Sequence, residues 1–336
     1  MKKMKKKIEL PLITPLYSTY HHQGPSTAIC SKNATLQNWH MNEVMILTCS
    51  RKFLKGFTTP EIGIAESSWK INPYLDKKGF PMRFLEGYIH FVIRNLLDEG
   101  YYVCFSGIDD YYVEGKSWYH ERHFSHDGCI CGYDQENQIY CIYAYDQNWI
   151  YQKFWTPQKA FDAGRKAQFK NSQYGSICGI KPTEEHLAFS CETALKKIFE
   201  YLDSNLEKYP EDAEGTVFGI VVHNYIAKYV GKLYDGSIPY ERMDRRVFRM
   251  IWEHKKVMLQ RIELIESELG LDHSISQAYE VVVNEADHCR MLYAAHHMKQ
   301  RNTVLPIIQK KLLALMSREK ELLEQLLEKT SGGSKK

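Results

Sequence analysis

From Thr183 onward the apolar residues return at helical spacing, and this periodicity constrains the fold more than any other feature of the chain. Ile251, Met258, Ile262, Ile265 and Leu269 form one stripe, and Gly270 follows as a stop signal. Thr183 with Glu184 and Glu185 reads as an N-cap and acidic first turn for a helix to about Lys208. Further helices are expected over Gly215 to Leu233, from a capping box at Ser274 and Gln277 to about Met298, and from near Pro306 through Ile308, Leu312, Leu315, Leu322 and Leu326. No repeat period joins them, so the expectation is a helical bundle rather than a solenoid.

Upstream the pattern is different. Between Leu10 and Tyr151, aromatic-rich runs, short apolar segments and frequent Gly and Asp predict an α+β region. Helices are expected over Trp39 to Lys55 and Met82 to Asp98, and a buried strand over Tyr101 to Ser106 between Gly100 and Gly107. A chain of 336 residues is longer than a single core usually supports, roughly 250–300 residues. The expected organisation is therefore a basic, disordered arm over 1–7, an α+β domain over 8–165, a linker over 166–182, a helical domain over 183–330 and a disordered tail over 331–336.

Composition excludes several function classes. The formal charge is +3, but five lysines within the first seven residues account for it, leaving 39 basic against 41 acidic side chains. Such a body lacks the basic face that phosphate-backbone binding requires, so no nucleic-acid partner is expected. No run reaches the about 20 apolar residues of a membrane span, and Ile8 to Tyr17, interrupted by Glu9, Pro11 and Pro15, makes a poor signal peptide. The reading is a cytoplasmic chain without a membrane partner. Its nine cysteines, odd in number and scattered, are then reduced thiols, most of them small buried apolar residues.

The clearest local element is a hairpin. Asp127 to Tyr133 and Gln138 to Tyr145 are rich in β-formers, and Asp134 to Asn137 between them carries turn chemistry. With the loop centred near Glu136, residues whose numbers sum to about 272 face each other. His126 then lies opposite Asp146. A His–Asp pair is what acyl transfer needs, since the carboxylate orients the imidazole and stabilises its cation. The plain alternative is two polar residues at strand ends.

The run from His126 to Asp134 (HDGCICGYD), followed by Ala144, Tyr145 and Asp146, resembles the signature of the butirosin biosynthesis protein H-like family. Trp252 to Arg261 (WEHKKVMLQR) resembles the helical C-terminal portion of such proteins. The resemblance implies a papain-like domain related to C39-type cysteine peptidases. It also implies an acyltransferase that passes an aminoacyl or peptidyl group from a carrier-protein thioester to a small amine. The partners it implies are an acyl or peptidyl carrier protein, whose phosphopantetheine presents the substrate, and the amine acceptor; no other cofactor is implied, and homodimerisation is left open.

In that scheme His126 is the base, Asp146 its orienter, and an upstream cysteine at a helix N-terminus the nucleophile. Cys30 is the candidate. Cys49 falls late in an expected helix, and a chain with no cysteine nucleophile remains an alternative. Tyr111, Tyr112, Asp127 and Tyr145 are the substrate-binding candidates, against the plain reading of a solvated loop before the hairpin. His21 with His22, His120 with His123, and His288 with His296 and His297 lack metal-ligand spacing, so no metal is expected. A cysteine peptidase or amide hydrolase, and a non-catalytic scaffold that binds a carrier protein, are the competing functions.

Overall fold

The strands in chain order are β1 (Lys7–Glu9), β2 (Leu47–Ser50), β3 (Gly63–Ile64), β4 (Leu75–Pro81), β5 (Tyr102–Asp109), β6 (Ser125–Asp134), β7 (Ile139–Tyr145), β8 (Tyr151–Pro157), β9 (Ser176–Pro182) and β10 (Thr216–Phe218). The helices are α1 (Gly24–Ala28), α2 (Thr35–Glu43), α3 (Ile89–Asp98), α4 (Gln158–Lys170), α5 (Cys191–Asp203), α6 (Val222–Tyr234), α7 (Val247–Leu269), α8 (Ser274–Lys299) and α9 (Leu305–Gly332). This computed structural model describes residues 5–56, 59–170, 175–204 and 215–332. The chain is α+β and divides into two units, one of residues 1–36 and 68–187, the other of residues 37–67 and 188–336.

The first unit is built on an antiparallel sheet in the order β4-β9-β5-β6-β7-β8, with β1 added to the far end of β6. Alternation sends Val103, Phe105, Ile142 and Ile177 to one face, packed under α3 and Phe161 of α4. Tyr102, Cys104, Cys129, Cys141 and Tyr143 go to the other, packed with Ala28 and Ile29 of the α1 segment. A bulge between Ile130 and Gly132 resets the alternation, so that Tyr133 shares the face of Ile130. Gly132 is required there, because a Cβ would stand 2.5 Å from the carbonyl oxygen of Ile8 in β1.

Two expectations for this unit are corrected. Part of the basic arm is ordered: Lys7 pairs with Asp134 in the ladder, and Lys6 Nζ lies 2.7 Å from Glu136. Residues 1–4 lie outside the described residues. In the expected linker over 166–182 the described residues are instead the end of α4 and the whole of β9, which is paired on both sides, and 171–174 lie outside the described residues. Gly179 in β9 is there for packing: a Cβ would meet Leu96 of α3 at 2.9 Å.

The second unit contains the long helices, and the α7 stripe is buried at Ile251, Met258, Ile262 and Ile265, whereas Leu269 in the last turn is exposed. Gly270 closes α7 with φ 63°. Arg261 is fully buried and donates to the carbonyls of His40, Met41 and Val44, which caps the C-terminal turn of α2. The expected helix over Trp39 to Lys55 ends at Glu43, and Leu47–Ser50 is a strand. Tertiary pairing overrides local propensity here, since β10 lies on one side of β2 and β3 on the other.

Three helix starts also differ, the first being that of α6, which begins at Val222 rather than Gly215 because Thr216–Phe218 pair with β2 as β10. Ser190, not Thr183, caps α5, accepting from the Thr193 N–H, because β9 carries the chain extended to Pro182. The N-terminus of α8 is capped by the Glu266 carboxylate, which accepts from the N–H groups of Ile275 and Ser276, rather than by a box at Ser274 and Gln277. The segment 205–214, which holds the expected end of α5 and a connecting loop, lies outside the described residues, as do 333–336 of the tail. Among the described residues no helix is long and apolar enough to cross a membrane.

Candidate active site

The site is assembled where β5 ends. Ser106 and Gly107 form a bulge in β5, so Phe105 pairs with Gly128 but Ile108 with His126. The extra residue turns the strand end, and Asp109 and Asp110 close it as the start of a short 3-10 turn over 110–112. Helix α4 lies directly against this point. At Gly164 a Cβ would stand 2.8 Å from the Asp109 carbonyl oxygen, so glycine permits the close approach.

Asp110 is fully buried and carries the central interactions. Its Oδ2 accepts from His126 Nδ1 at 2.8 Å, and its Oδ1 lies 3.2 Å from the buried Lys116 ammonium. Lys116 also donates to the Asp127 carbonyl at 2.9 Å. An ionised carboxylate can only accept, which places the proton of neutral His126 on Nδ1 and leaves Nε2 with a free lone pair. Burial pushes the His126 pKa down, the Lys116 ammonium pushes it further, and Asp110 and Asp127 oppose them; the net shift is below 6.5. Lys116 is itself lowered by burial, against the attraction of Asp110.

The expected pairing of His126 with Asp146 does not occur. The register is as expected at Cys129↔Tyr143 and Ile130↔Ile142, but the ladder stops there. Past it β6 follows β5, and Lys116 takes the bridge position opposite Asp146. Asp146 instead fixes the β7–β8 turn: Oδ1 accepts from the N–H groups of Asn148 and Ile150, and Oδ2 from Gln152 Nε2 at 2.6 Å. Burial works to raise its pKa, and these hydrogen bonds outweigh that and lower it.

In front of His126 stands His21, its ring edge-on at a centroid distance of 4.3 Å. Burial holds the His21 pKa well below the usual histidine range, with Lys116, His126 and His22 adding to the effect. His21 also lines a small pocket with Trp69, Cys104, Asp127, Ser176 and Cys178. Of the four substrate-binding candidates, Asp127 belongs to this lining. Tyr145 flanks the His21 ring and donates to the Ser18 carbonyl at 2.9 Å, so its hydroxyl is a structural tie. Tyr111 stacks on His123, whose Nδ1 is 2.8 Å from Asp109, and Tyr112 packs edge-on to Tyr111.

Cys30 is exposed and follows the C-cap of α1, Ile29. No described contact joins it to His126. The helix start that precedes it is formed by Gln23 and Gly24, with no cysteine. Cys49 is buried in β2, and burial raises its pKa to about 12. Asp110 and His21 are not among the sequence-based site candidates: the run from Asp109 to Tyr112 could line a pocket but reads first as solvated loop, and His21 reads as one of a histidine pair. The only local signal was two aspartates at the end of an apolar run.

The helical unit holds a second buried polar cluster. Glu319 accepts from Lys255 at 2.6 Å, Tyr201 at 3.0 Å and Tyr279 at 2.5 Å, with His223 3.8 Å away. All these side chains are withdrawn from solvent. Among the described residues no group of three or more His, Cys, Asp or Glu could hold a metal ion. No family model matches the chain, and no curated protein matches it.

Proposed function

We propose that the chain is an acyltransferase that moves an acyl group from a carrier-held thioester to an amine, with His126 as general base and Asp110 as its orienter. The observation that carries this reading is the 2.8 Å contact from His126 Nδ1 to a fully buried carboxylate. It leaves Nε2 unprotonated and turned from Asp110, as a base requires. The Lys116 ammonium supplies the opposite charge beside Asp110 in a dry setting. Burial and the Lys116 ammonium lower the His126 pKa, which favours the free base that accepts a proton.

In this mechanism the amine attacks the thioester carbon directly. The C–N bond forms, the amine proton passes to Nε2, and the imidazolium is held by Asp110. The C–S bond then breaks, and His126 returns the proton to the departing sulfur. Direct attack is favoured over a covalent cysteine intermediate because no described contact brings Cys30 to His126, and the start of α1 offers none. The papain-like relationship implied by the resemblance is part of the same proposal. It is supported by a histidine on a central antiparallel strand, with the segment entering an early short helix packed against it.

The test is product mass spectrometry after mixing the protein with an aminoacyl-loaded carrier protein and a panel of small amines. The expected result is an amide that requires His126 and survives Cys30→Ala. A covalent adduct lost in Cys30→Ala would restore the cysteine mechanism, and a hydrolysed acid in place of the amide would make the protein a hydrolase. Carrier binding without turnover would leave the scaffold reading.

A further inference from the structure

His21 is 8% exposed, and neither of its ring nitrogens has a hydrogen-bond partner. Buried polar groups are almost always paired, so an orphaned imidazole marks a place where something else binds. Its setting is specific. The ring packs against His126 on one side and against Tyr145 and Tyr151 on others, and it forms part of the pocket wall. The remaining wall mixes Trp69, Phe105 and the thiols of Cys104 and Cys178 with polar residues, Lys70 and Asp127 among them. A wall of both kinds suits a short acyl chain whose polar thioester carbonyl stays beside hydrogen-bonding groups.

A neutral imidazole offers one N–H donor and one acceptor. Burial, with the Lys116 ammonium adding to it, lowers the His21 pKa and favours the neutral ring, so the group that satisfies it need not be a full anion. A carbonyl oxygen accepts from such an N–H in the ground state and accepts more strongly as charge develops on it. Neutral histidine is suited to this task, because a low pKa retains the donor without a net charge to desolvate.

We propose that His21 donates a hydrogen bond to the acyl carbonyl oxygen of a short-chain thioester bound in this pocket, beside the base His126. The proposal rests on the acyl-transfer reading. As the amine nitrogen bonds to the carbonyl carbon, the C=O π pair moves onto oxygen, and the His21 N–H stabilises it there. When the C–S bond breaks, its pair leaves on sulfur, the C=O bond re-forms, and the proton held by His126 goes to that sulfur. His21 gains and loses no proton.

The first arm of the test uses the intact wild-type chain with 15N-labelled histidine. The probe is the acetonyl thioether of pantetheine, a ketone that cannot be cleaved. Long-range imidazole spectra are recorded during titration, with His21 assigned by the signal missing in His21→Gln. A saturable shift of the His21 nitrogens is expected, and no His21 response up to millimolar probe overturns the proposal. The second arm measures amide formation from S-acetylpantetheine and glycinamide. His21→Phe is expected to lower kcat by about 10²–10³-fold, with KM and the acid limb of the pH profile unchanged, and His21→Gln to recover part of the loss. Full kcat in His21→Phe overturns the role of His21 and leaves that of His126 intact. A wild-type protein that binds the ketone through His21 yet makes no amide instead sinks the acyl-transfer reading.

Discussion

Lys116 holds its ammonium 3.2 Å from the Asp110 carboxylate, and neither side chain reaches solvent. Removing one member of such a pair leaves the other charged, buried and unpaired. Lys116→Met is therefore expected to destabilise the protein by about 3–5 kcal/mol, read from urea unfolding. It should also raise the His126 pKa, because the ammonium is one of the forces depressing it. A histidine titration followed by NMR checks the direction, and a His126 pKa that stays put or falls contradicts the assignment.

The two aspartates near His126 should separate cleanly. Asp110→Asn removes the acceptor that orients His126, and amide formation should fall by about 10²–10⁴-fold. Asp146→Asn leaves the dyad untouched and weakens only a turn, so turnover should stay within a few-fold of wild type while stability drops by about 1 kcal/mol. Side-by-side steady-state rates decide this. An inactive Asp146→Asn with a fully active Asp110→Asn would return the orienting role to Asp146.

The pH dependence of turnover has a defined sign. A general base works when unprotonated, so the rate should rise with pH through the His126 pKa and be level above it. Because that pKa is depressed, the midpoint should lie below 6.5, the ordinary value. A profile of kcat/KM with its acid limb centred above 6.5 would count against His126 as the base.

Stability should fall in mild acid. His21, His223 and His254 are buried and their pKa values are pushed below 6.5, that of His223 to about 4. Below about pH 6.5 the unfolded chain binds protons that the folded chain excludes, so stability is complete above that pH and is lost as pH falls. Each such histidine contributes a slope of up to about 1.4 kcal/mol per pH unit. Urea midpoints measured from pH 7 to pH 5 should decrease steadily, and a flat series would show that these side chains do titrate in the fold.

In the helical unit, Lys255→Met should cost about 3–5 kcal/mol by stranding the Glu319 carboxylate. Replacing both residues, as in Lys255→Met with Glu319→Leu, should recover most of that loss. A double variant no more stable than the single one would show that the tyrosines around Glu319, rather than Lys255, hold the cluster together.

The parts of this fold legible in the sequence are those set by local pattern. The α7 stripe up to Ile265, its Gly270 stop, the start of α9 and the β6–β7 register at Cys129↔Tyr143 and Ile130↔Ile142 follow from spacing and turn chemistry. The site was half legible. His126 was visible because the hairpin is local, but its partner was assigned by extending a ladder beyond Cys129↔Tyr143, where β5 and Lys116 intervene. Finding Asp110 needs the β5 bulge, and a bulge at Ser106 and Gly107 leaves no mark except a glycine that also suits a strand end. The strand nature of Leu47–Ser50 is hidden for a related reason, since its longer partner, β10, is distant in sequence and its nearer one, β3, is only two residues long.

The boundary between the two units crosses α2 between Leu36 and Gln37, returns at Ser67 and Ser68, and crosses again at Leu187 and Ala188. During synthesis, therefore, β2 and the last turn of α2 leave the ribosome long before the elements that complete them. β2 waits for β10, and the carbonyls of His40, Met41 and Val44 wait for Arg261. The sheet of the first unit can close as soon as β9 has emerged, and it then holds both ends of the waiting 37–67 segment as a tethered loop. Translation order and assembly order thus diverge, and a contiguous gene fragment beginning at Ala188 encodes a helical unit that lacks two of its own strands.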